Sequence, residues 1–363
     1  LAIQGVALNT DAIDNSAGVN MSDYEVNLKI LCQQLRVDGQ LKNEADRNQL
    51  LSSIVDEVSE LCLQNNRLQH RAISLDGRRA DQDLNVFRQA ILDLRTVDDS
   101  PEAQVIEISI LNPESKGLTR PMLSVFQAKV KHQIIQQVAQ DWDSTESLFQ
   151  LYLVDYFPDT VVQLYLKYTH RHPLANRISA MQVVNHVVNH AGSGAIATLV
   201  SQTGHSCVSV LRMYCLAYDI MGRGSMQAID AMLQHENRVQ AFVYEALMYG
   251  DYATSVKLKS KYQSNADSVA ELGNSGVSCF FLTYLCEFHS MTVNEGIRWL
   301  LQYDDYFGFS RIHAQIKTIA IDTKWAWIKQ SMTVAALRRY HYALVDSVAI
   351  QWPQRQSGAR STG

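Results

Sequence analysis

Proline and glycine are scarce in this sequence, and long apolar runs are missing. Six prolines and 17 glycines among 363 residues leave long uninterrupted stretches in which helices can form. No apolar run reaches the roughly 20 residues that a membrane-spanning helix needs, and no signal peptide opens the sequence. We therefore expect no membrane partner.

Paired cysteines are also missing, because none of the six cysteines belongs to a CxxC pair. This argues against a structural zinc site and against a thioredoxin-like redox motif. Several cysteines fall inside apolar helical patterns, where a free cysteine behaves as a small hydrophobic residue. The simplest prediction is a reduced, cytoplasmic protein.

An excess of positive charge is absent as well. The net charge is -5 and the isoelectric point is about 6.1, so electrostatic capture of nucleic acid is not indicated. With 47% hydrophobic and 19% charged residues, the chain has the composition of a folded globular protein. Its length favours two or three domains.

Apolar residues recur at spacings of three and four from Tyr24 onward, which predicts a mostly α fold. One helix is predicted from about Asp46 to about His70, followed by a break over residues 72–82 and a further helix over 84–94. Near the N-terminus the spacing of Ile3, Val6 and Leu8 resembles a short strand.

The stretch 96–117 is the least regular and is interpreted as a linker. A new helix is predicted directly after it, with Thr119 as its N-cap and Pro121 in its first turn. The polar end of the chain should be disordered. The resulting division is 1–40, an N-terminal segment; 41–116, connecting helices and linker; 117–350, a helical C-terminal domain; and 351–363, the tail.

Residues 9–31, NTDAIDNSAGVNMSDYEVNLKIL, resemble the end of the catalytic domain of the large NAD-specific glutamate dehydrogenases. Three further segments resemble the same family, in the family's order and spacing, so that the resemblance covers about residues 1–262. They are LLSSIVDEVSELCLQNNRLQ (50–69), GLTRPMLSVFQAKVK (117–131) and the stretch from YFPDTVVQLYLKY to LVSQTG (156–204).

The resemblance implies that residues 1–40 are the C-terminal edge, or remnant, of an α/β Rossmann-like catalytic domain. It also implies two site residues within this segment. Asn15 would lie against the nicotinamide ribose or the substrate, and Ser22 would donate a hydrogen bond to the side-chain carboxylate of glutamate. From the residues alone, DNSAG is interpreted as a turn. Capping of the helix that follows is a second role for Ser22, which competes for the same hydroxyl.

The family's reaction is oxidative deamination of L-glutamate to 2-oxoglutarate and ammonia, with NAD as cofactor, usually in a homo-oligomer. The sequence shows neither a glycine-rich nucleotide loop after a clear strand nor the family's lysine-bearing segment. No catalytic residue is therefore predicted within this chain, and the main ones are expected outside it. The alternative is a non-enzymatic helical module for oligomer contacts or regulation, derived from such an enzyme.

Three other patterns carry weaker functional hypotheses. Residues 192–197 spell GxGxxA, but the preceding stripe is helical, so a helix–turn–helix corner is predicted instead of a dinucleotide loop. His186 and His190 share a helix face, but no third ligand is near them in sequence. We predict a solvated polar face and no metal site. The aromatic cluster at 299–309 is more often core than a binding surface.

Overall fold

The structure is a computed structural model that describes five stretches of the chain. These are residues 1–82 without Gly5, 118–143, 146–221, 228–249 and 293–309, with isolated residues at 84, 87, 285, 291 and between 311 and 349. The helix predicted over 84–94, the linker over 96–117 and the tail over 351–363 lie outside the described residues.

Every regular element in the described stretches is helical, so the mostly α character of the predicted fold class is confirmed. After a 3₁₀ turn at Ala2–Gln4, the α-helices in chain order are α1 (Asp11–Asp14), α2 (Ser16–Val37), α3 (Glu44–Ser53), α4 (Val55–Gln82), α5 (Arg120–Asp141), α6 (Ser147–Tyr156), α7 (Asp159–Thr169), α8 (Ala175–Ala191), α9 (Ser193–Thr203), α10 (Cys207–Met221), α11 (Ile229–Tyr249) and α12 (Val293–Phe307). None of them is long and apolar enough to cross a membrane.

The short strand predicted at Ile3, Val6 and Leu8 is wrong. Ala2–Gln4 form a 3₁₀ turn, and residues 6–10 have no regular secondary structure. A strand needs a neighbouring strand to satisfy its backbone hydrogen bonds, and the described residues offer none. The α/β character of residues 1–40 therefore stays a prediction.

The first compact unit comprises residues 1–201 and 206–211. Helices α4, α5 and α8 pack against one another, α6 packs on α8, and α2 packs on both α4 and α7. An apolar cluster fills the space between α2, α3, α4, α6, α7 and the start of α8, and at its centre Leu35, Leu153 and Val161 are fully buried.

The break predicted over residues 72–82 is also wrong, because α4 continues to Gln82 and the chain is interrupted earlier, at Ile54. Two charged residues of this stretch, Asp76 and Arg79, are buried inside the fold. Gly77 does not interrupt the helix. A Cβ atom built at Gly77 would lie 3.7 Å from the Leu123 side chain, an ordinary van der Waals distance.

Helix α5 begins where the sequence predicts. Thr119 occupies the N-cap position with an extended backbone, and Pro121 lies in the first turn, where a missing N–H leaves no hydrogen bond unmade. The hydroxyl of Thr119 makes no capping hydrogen bond, however. The boundary is thus confirmed, whereas the side-chain capping expected of Thr119 is wrong.

The second compact unit comprises residues 202–205 and the chain from Arg212 onward. The Tyr218 hydroxyl donates a 2.6 Å hydrogen bond to the Glu236 carboxylate, which joins α10 to α11. In α12 the rings of Trp299 and Tyr303 are stacked 5.1 Å apart and buried, as core aromatic residues are, whereas Tyr306 is 83% exposed.

Candidate active-site edge

Asn15 lies at the junction of α1 and α2. Its backbone N–H donates to the Asp11 carbonyl at 2.7 Å, and its own carbonyl accepts from the Gly18 N–H at 3.1 Å. With φ −102° and ψ 38°, Asn15 ends one helix and precedes the next, and its side chain makes no capping hydrogen bond. Asn15 as a whole residue is exposed at this junction.

Ser22 is the seventh residue of α2, beyond the first turn, where a side chain cannot cap the helix N-terminus. The capping alternative for Ser22 is therefore wrong. Seven residues are two helical turns, so Asn15 and Ser22 lie on the same side of α2, roughly 10 Å apart. Ser22, Val19 and Val26 are all exposed on that side, so the face carrying Ser22 has apolar flanks.

Two polar networks fix this segment to helices that come later in the chain. In the first, the Asn9 side-chain amide donates to Asp14 at 2.8 Å and contacts His70 Nδ1 at 3.1 Å. The Arg120 guanidinium donates to Asn9 Oδ1 at 2.9 Å and to Ser74 Oγ at 2.8 Å. Residues from three separate parts of the chain therefore meet beside α1.

The electrostatics of this first network favour a charged carboxylate. The hydrogen bond from the Asn9 side chain holds the pKa of Asp14 below its usual value, and the nearby His70 and Arg120 act in the same direction. Burial lowers the pKa of Arg120, which remains a cation because arginine titrates far above neutral pH.

The second network holds α2 just beyond Ser22. The Tyr156 hydroxyl donates to the Asp23 carboxylate at 2.8 Å and accepts from the Asn27 amide at 2.8 Å. His172 Nε2 contacts the Asn27 carbonyl oxygen at 3.1 Å, and the rings of Tyr24 and Tyr156 stack 4.7 Å apart. Burial raises the pKa of Tyr156, so its phenol stays protonated and can donate.

Two parts of this chain match the sequence models of known protein families. The family described as "Bacterial NAD-glutamate dehydrogenase, catalytic domain" matches residues 1–76, and "Glutamate dehydrogenase, C-terminal" matches residues 115–257. The NAD-specific glutamate dehydrogenase of Halomonas elongata is 32% identical over 253 residues, which cover 68% of this chain. The proteins of the same name from Pseudomonas aeruginosa and Mycobacterium tuberculosis are each 32% identical, over 233 and 227 residues.

The chain belongs to the large NAD-specific glutamate dehydrogenases. It spans about 15% of the length of the Halomonas relative and about 14% of the other two. The family resemblance stated from the sequence is thus confirmed.

In this family member, both networks join the catalytic-domain region to the C-terminal region. Arg120 and Tyr156 come from the C-terminal match, whereas Asn9 and Asp23 come from the catalytic-domain match. Sequence reasoning missed these contacts, although Arg120 lies in the GLTRP motif and Asp23 lies in the SDYEVN motif. Both motifs carry the resemblance, and a charged residue inside such a motif is the signal that the sequence offers.

The GxGxxA pattern is a helix–turn–helix corner, as predicted. Gly192 ends α8 with φ 82°, and α9 begins at Ser193. The buried Asp76 carboxylate accepts from the Ser193 N–H at 2.8 Å and from the Gly194 N–H at 3.4 Å, so a side chain of α4 occupies the place that a bound phosphate would take.

His186 and His190 do not form a solvated face, so that prediction is wrong. His190 is 3% exposed, and its ring lies 4.7 Å from the ring of His186, which in turn contacts Tyr152. Helix α8 packs against α4, α5 and α6 together and therefore has little surface left for solvent. Among the described residues, no group of three histidine, cysteine or acidic side chains is placed to hold a metal ion.

Proposed function

We propose that this chain forms part of an NAD-dependent glutamate dehydrogenase and contributes one edge of its active site. The reaction moves a hydride from the α-carbon of L-glutamate to NAD, and water then releases ammonia and 2-oxoglutarate. The observation that carries the proposal is the catalytic-domain match over residues 1–76, together with the similarity to three proteins of that name.

Within this edge, Ser22 is proposed to donate its hydroxyl hydrogen to the side-chain carboxylate of glutamate, and Asn15 to contact the nicotinamide ribose or the substrate. Both side chains are exposed and lie on one side of the start of α2, which supports a shared site. The two anchoring networks support it further, because they hold the segment on either side of these residues.

Three coarser features complete the proposal. Residues 1–40 would form the edge of a Rossmann-like NAD-binding domain, with residues 41–116 connecting it to a helical C-terminal domain over 117–350. The enzyme would act as a homo-oligomer in the cytoplasm. The catalytic residues themselves would lie outside this chain, since the sequence carries no segment typical of the family's catalytic lysine.

The proposal is tested by glutamate-dependent NADH formation in the whole natural polypeptide that contains this chain, with Ser22→Ala as the informative variant. A hydrogen bond to a charged group contributes about 1.5–3 kcal/mol, so kcat/KM for glutamate should fall roughly tenfold to a hundredfold. The KM for NAD should change little, because the lost donor faces the amino acid.

Ser52→Ala is the matched control, since Ser52 is an exposed serine in α3 and not in the α1–α2 segment that carries the proposed edge. It should leave both KM values unchanged. Absence of glutamate-dependent NADH formation in the wild-type polypeptide would disprove the proposed function. Unchanged kinetics in Ser22→Ala alone would disprove only the role given to Ser22.

A further inference from the structure

We propose that Arg120 is a positioning residue for the active-site edge and sets the placement of Asn15 and Ser22 from the C-terminal region. The proposal rests on the function proposed above. Arg120 lies at the start of α5, and its guanidinium reaches back across α4 to the segment just before Asn15. It touches neither of the two proposed site residues, so its effect is transmitted through that segment.

The three nitrogens of the guanidinium donate hydrogen bonds to three different residues. Nε donates to Asn9 Oδ1 at 2.9 Å, one terminal nitrogen donates to Ser74 Oγ at 2.8 Å, and the other donates to the His70 carbonyl at 3.3 Å. Two of these partners belong to α4 and one to the N-terminal segment. Arg120 therefore joins that segment to α4, the longest of the described helices.

The orientation of the Asn9 amide follows from this arrangement. Because arginine can only donate, the oxygen of Asn9 must face Arg120, and the amide nitrogen is then left to donate to Asp14 at 2.8 Å. The backbone N–H of Asn9 also donates to Asp14, at 3.2 Å. Residues 9–14 are thus closed into a loop that ends on the residue immediately before Asn15.

Helix α1 cannot hold this geometry by itself. It has four residues, a single turn, and isolated turns of helix are unstable without tertiary contacts. The contacts that fix it are the Arg120 network, the buried side chain of Ile13, and the Asn66 amide, which donates to the Ile13 carbonyl at 3.0 Å. Loss of the Arg120 fork should therefore loosen the junction that carries Asn15.

Lysine cannot replace arginine at this position, although it keeps the charge. An ammonium is a compact point donor, whereas the three partners here surround a planar fork. Arg120→Lys thus separates the hydrogen-bonding geometry from the positive charge. Val130→Ala is the matched control, because Val130 is fully buried ten residues further along α5 and its truncation lowers stability without touching the network.

The test compares both variants in the whole natural polypeptide. Arg120→Lys should lower kcat/KM for glutamate roughly tenfold to a hundredfold, as expected for a small displacement of substrate-positioning groups. Val130→Ala should stay within about twofold of wild type even where its melting temperature is lower. Equal kinetic losses in the two variants at equal losses of stability, or no loss in Arg120→Lys, would overturn the proposal.

A second readout separates this proposal from the proposed function. Amide hydrogen exchange of residues 10–22 should become faster in Arg120→Lys and stay unchanged in Val130→Ala, whatever reaction the protein catalyses. Faster exchange without any glutamate-dependent activity in wild type would retain the positioning effect and reject the dehydrogenase assignment. Unchanged exchange in Arg120→Lys would reject the positioning role.

Discussion

At Gly192 the chain has room for a hydrogen atom and for nothing larger. Its φ of 82° and ψ of 158° fall in a region that essentially only glycine occupies, and a Cβ there would collide with Arg79 and Asp76. Both side chains are buried and bonded to the corner between α8 and α9, so neither can move away without breaking other hydrogen bonds.

We therefore expect Gly192→Ala to lower the free energy of unfolding by at least about 3 kcal/mol. Gly39→Ala is the control, because Gly39 has a positive φ of 71° but no atom within 4 Å of its Cβ position. That variant should lose only the backbone cost of about 1–2 kcal/mol. Urea unfolding of both variants measures the difference, and equal losses would show that the close approach is unimportant.

Residue roles at the candidate site were the least predictable from sequence. Asn15 and Ser22 are predicted as site residues only through a family resemblance, because DNSAG on its own is an ordinary turn. Arg120 was not identified at all, since its partners Asn9 and Ser74 lie 111 and 46 residues away in the chain. Sequence spacing carries no information about contacts over such separations.

At the scale of elements, two helices begin in similar ways but with different capping contacts. Asn43 precedes α3, and its side-chain oxygen accepts from the Asp46 N–H at 2.9 Å. Thr119 occupies the same position before α5 without such a bond. We expect Asn43→Ala to cost about 1 kcal/mol and Thr119→Ala to stay within about 0.5 kcal/mol.

Urea titration of the two capping variants checks this expectation. A loss in Thr119→Ala as large as that in Asn43→Ala would show that the Thr119 hydroxyl caps α5 in solution.

Helix α5 also carries a cation into the packed helices. The Lys131 ammonium donates to the side-chain oxygen of the buried Asn189 at 2.6 Å, and burial lowers the pKa of Lys131 to about 7. In the unfolded chain a lysine keeps its ordinary pKa near 10.4. Between these two values the unfolded chain binds more protons than the folded one, so stability should rise with pH from about 7 to about 10.

Lys131→Met should flatten this rise, because it removes the group that titrates differently in the two states. The measurement is the free energy of unfolding against pH, and Lys129→Met, with the same change of charge on the same helix, is the control. A wild-type profile that falls from pH 7 to 10, or a Lys131→Met profile as steep as wild type, would contradict this account of the ammonium.

Element prediction succeeded where local chemistry decides and failed where tertiary packing does. The start of α5 and the corner at Gly192 follow from Pro121 and from the glycine itself. The break predicted over 72–82 is wrong because two of its charged residues, Asp76 and Arg79, are buried and bonded in the fold. Periodicity alone takes charged residues to be solvent-exposed.

At the scale of the whole molecule, the isolated 363-residue chain should have no dehydrogenase activity. Its sequence contains neither a glycine-rich nucleotide loop nor the expected lysine segment, and it spans about 15% of the Halomonas relative. NADH formation from glutamate and NAD with the purified chain is the measurement. Turnover above the background of a protein-free control would contradict this prediction.

Helix α4 bears on how parts of such enzymes can be exchanged. The catalytic-domain match ends at residue 76, inside α4 and at the residue whose carboxylate accepts hydrogen bonds from the first amides of α9. In a hybrid of two such enzymes joined at that boundary, α4 would be assembled from two different sequences. The α8–α9 corner of one parent would then face the carboxylate of the other. A junction before Val55 instead takes the helix, the carboxylate and the corner from the same parent, wherever the family boundary is drawn.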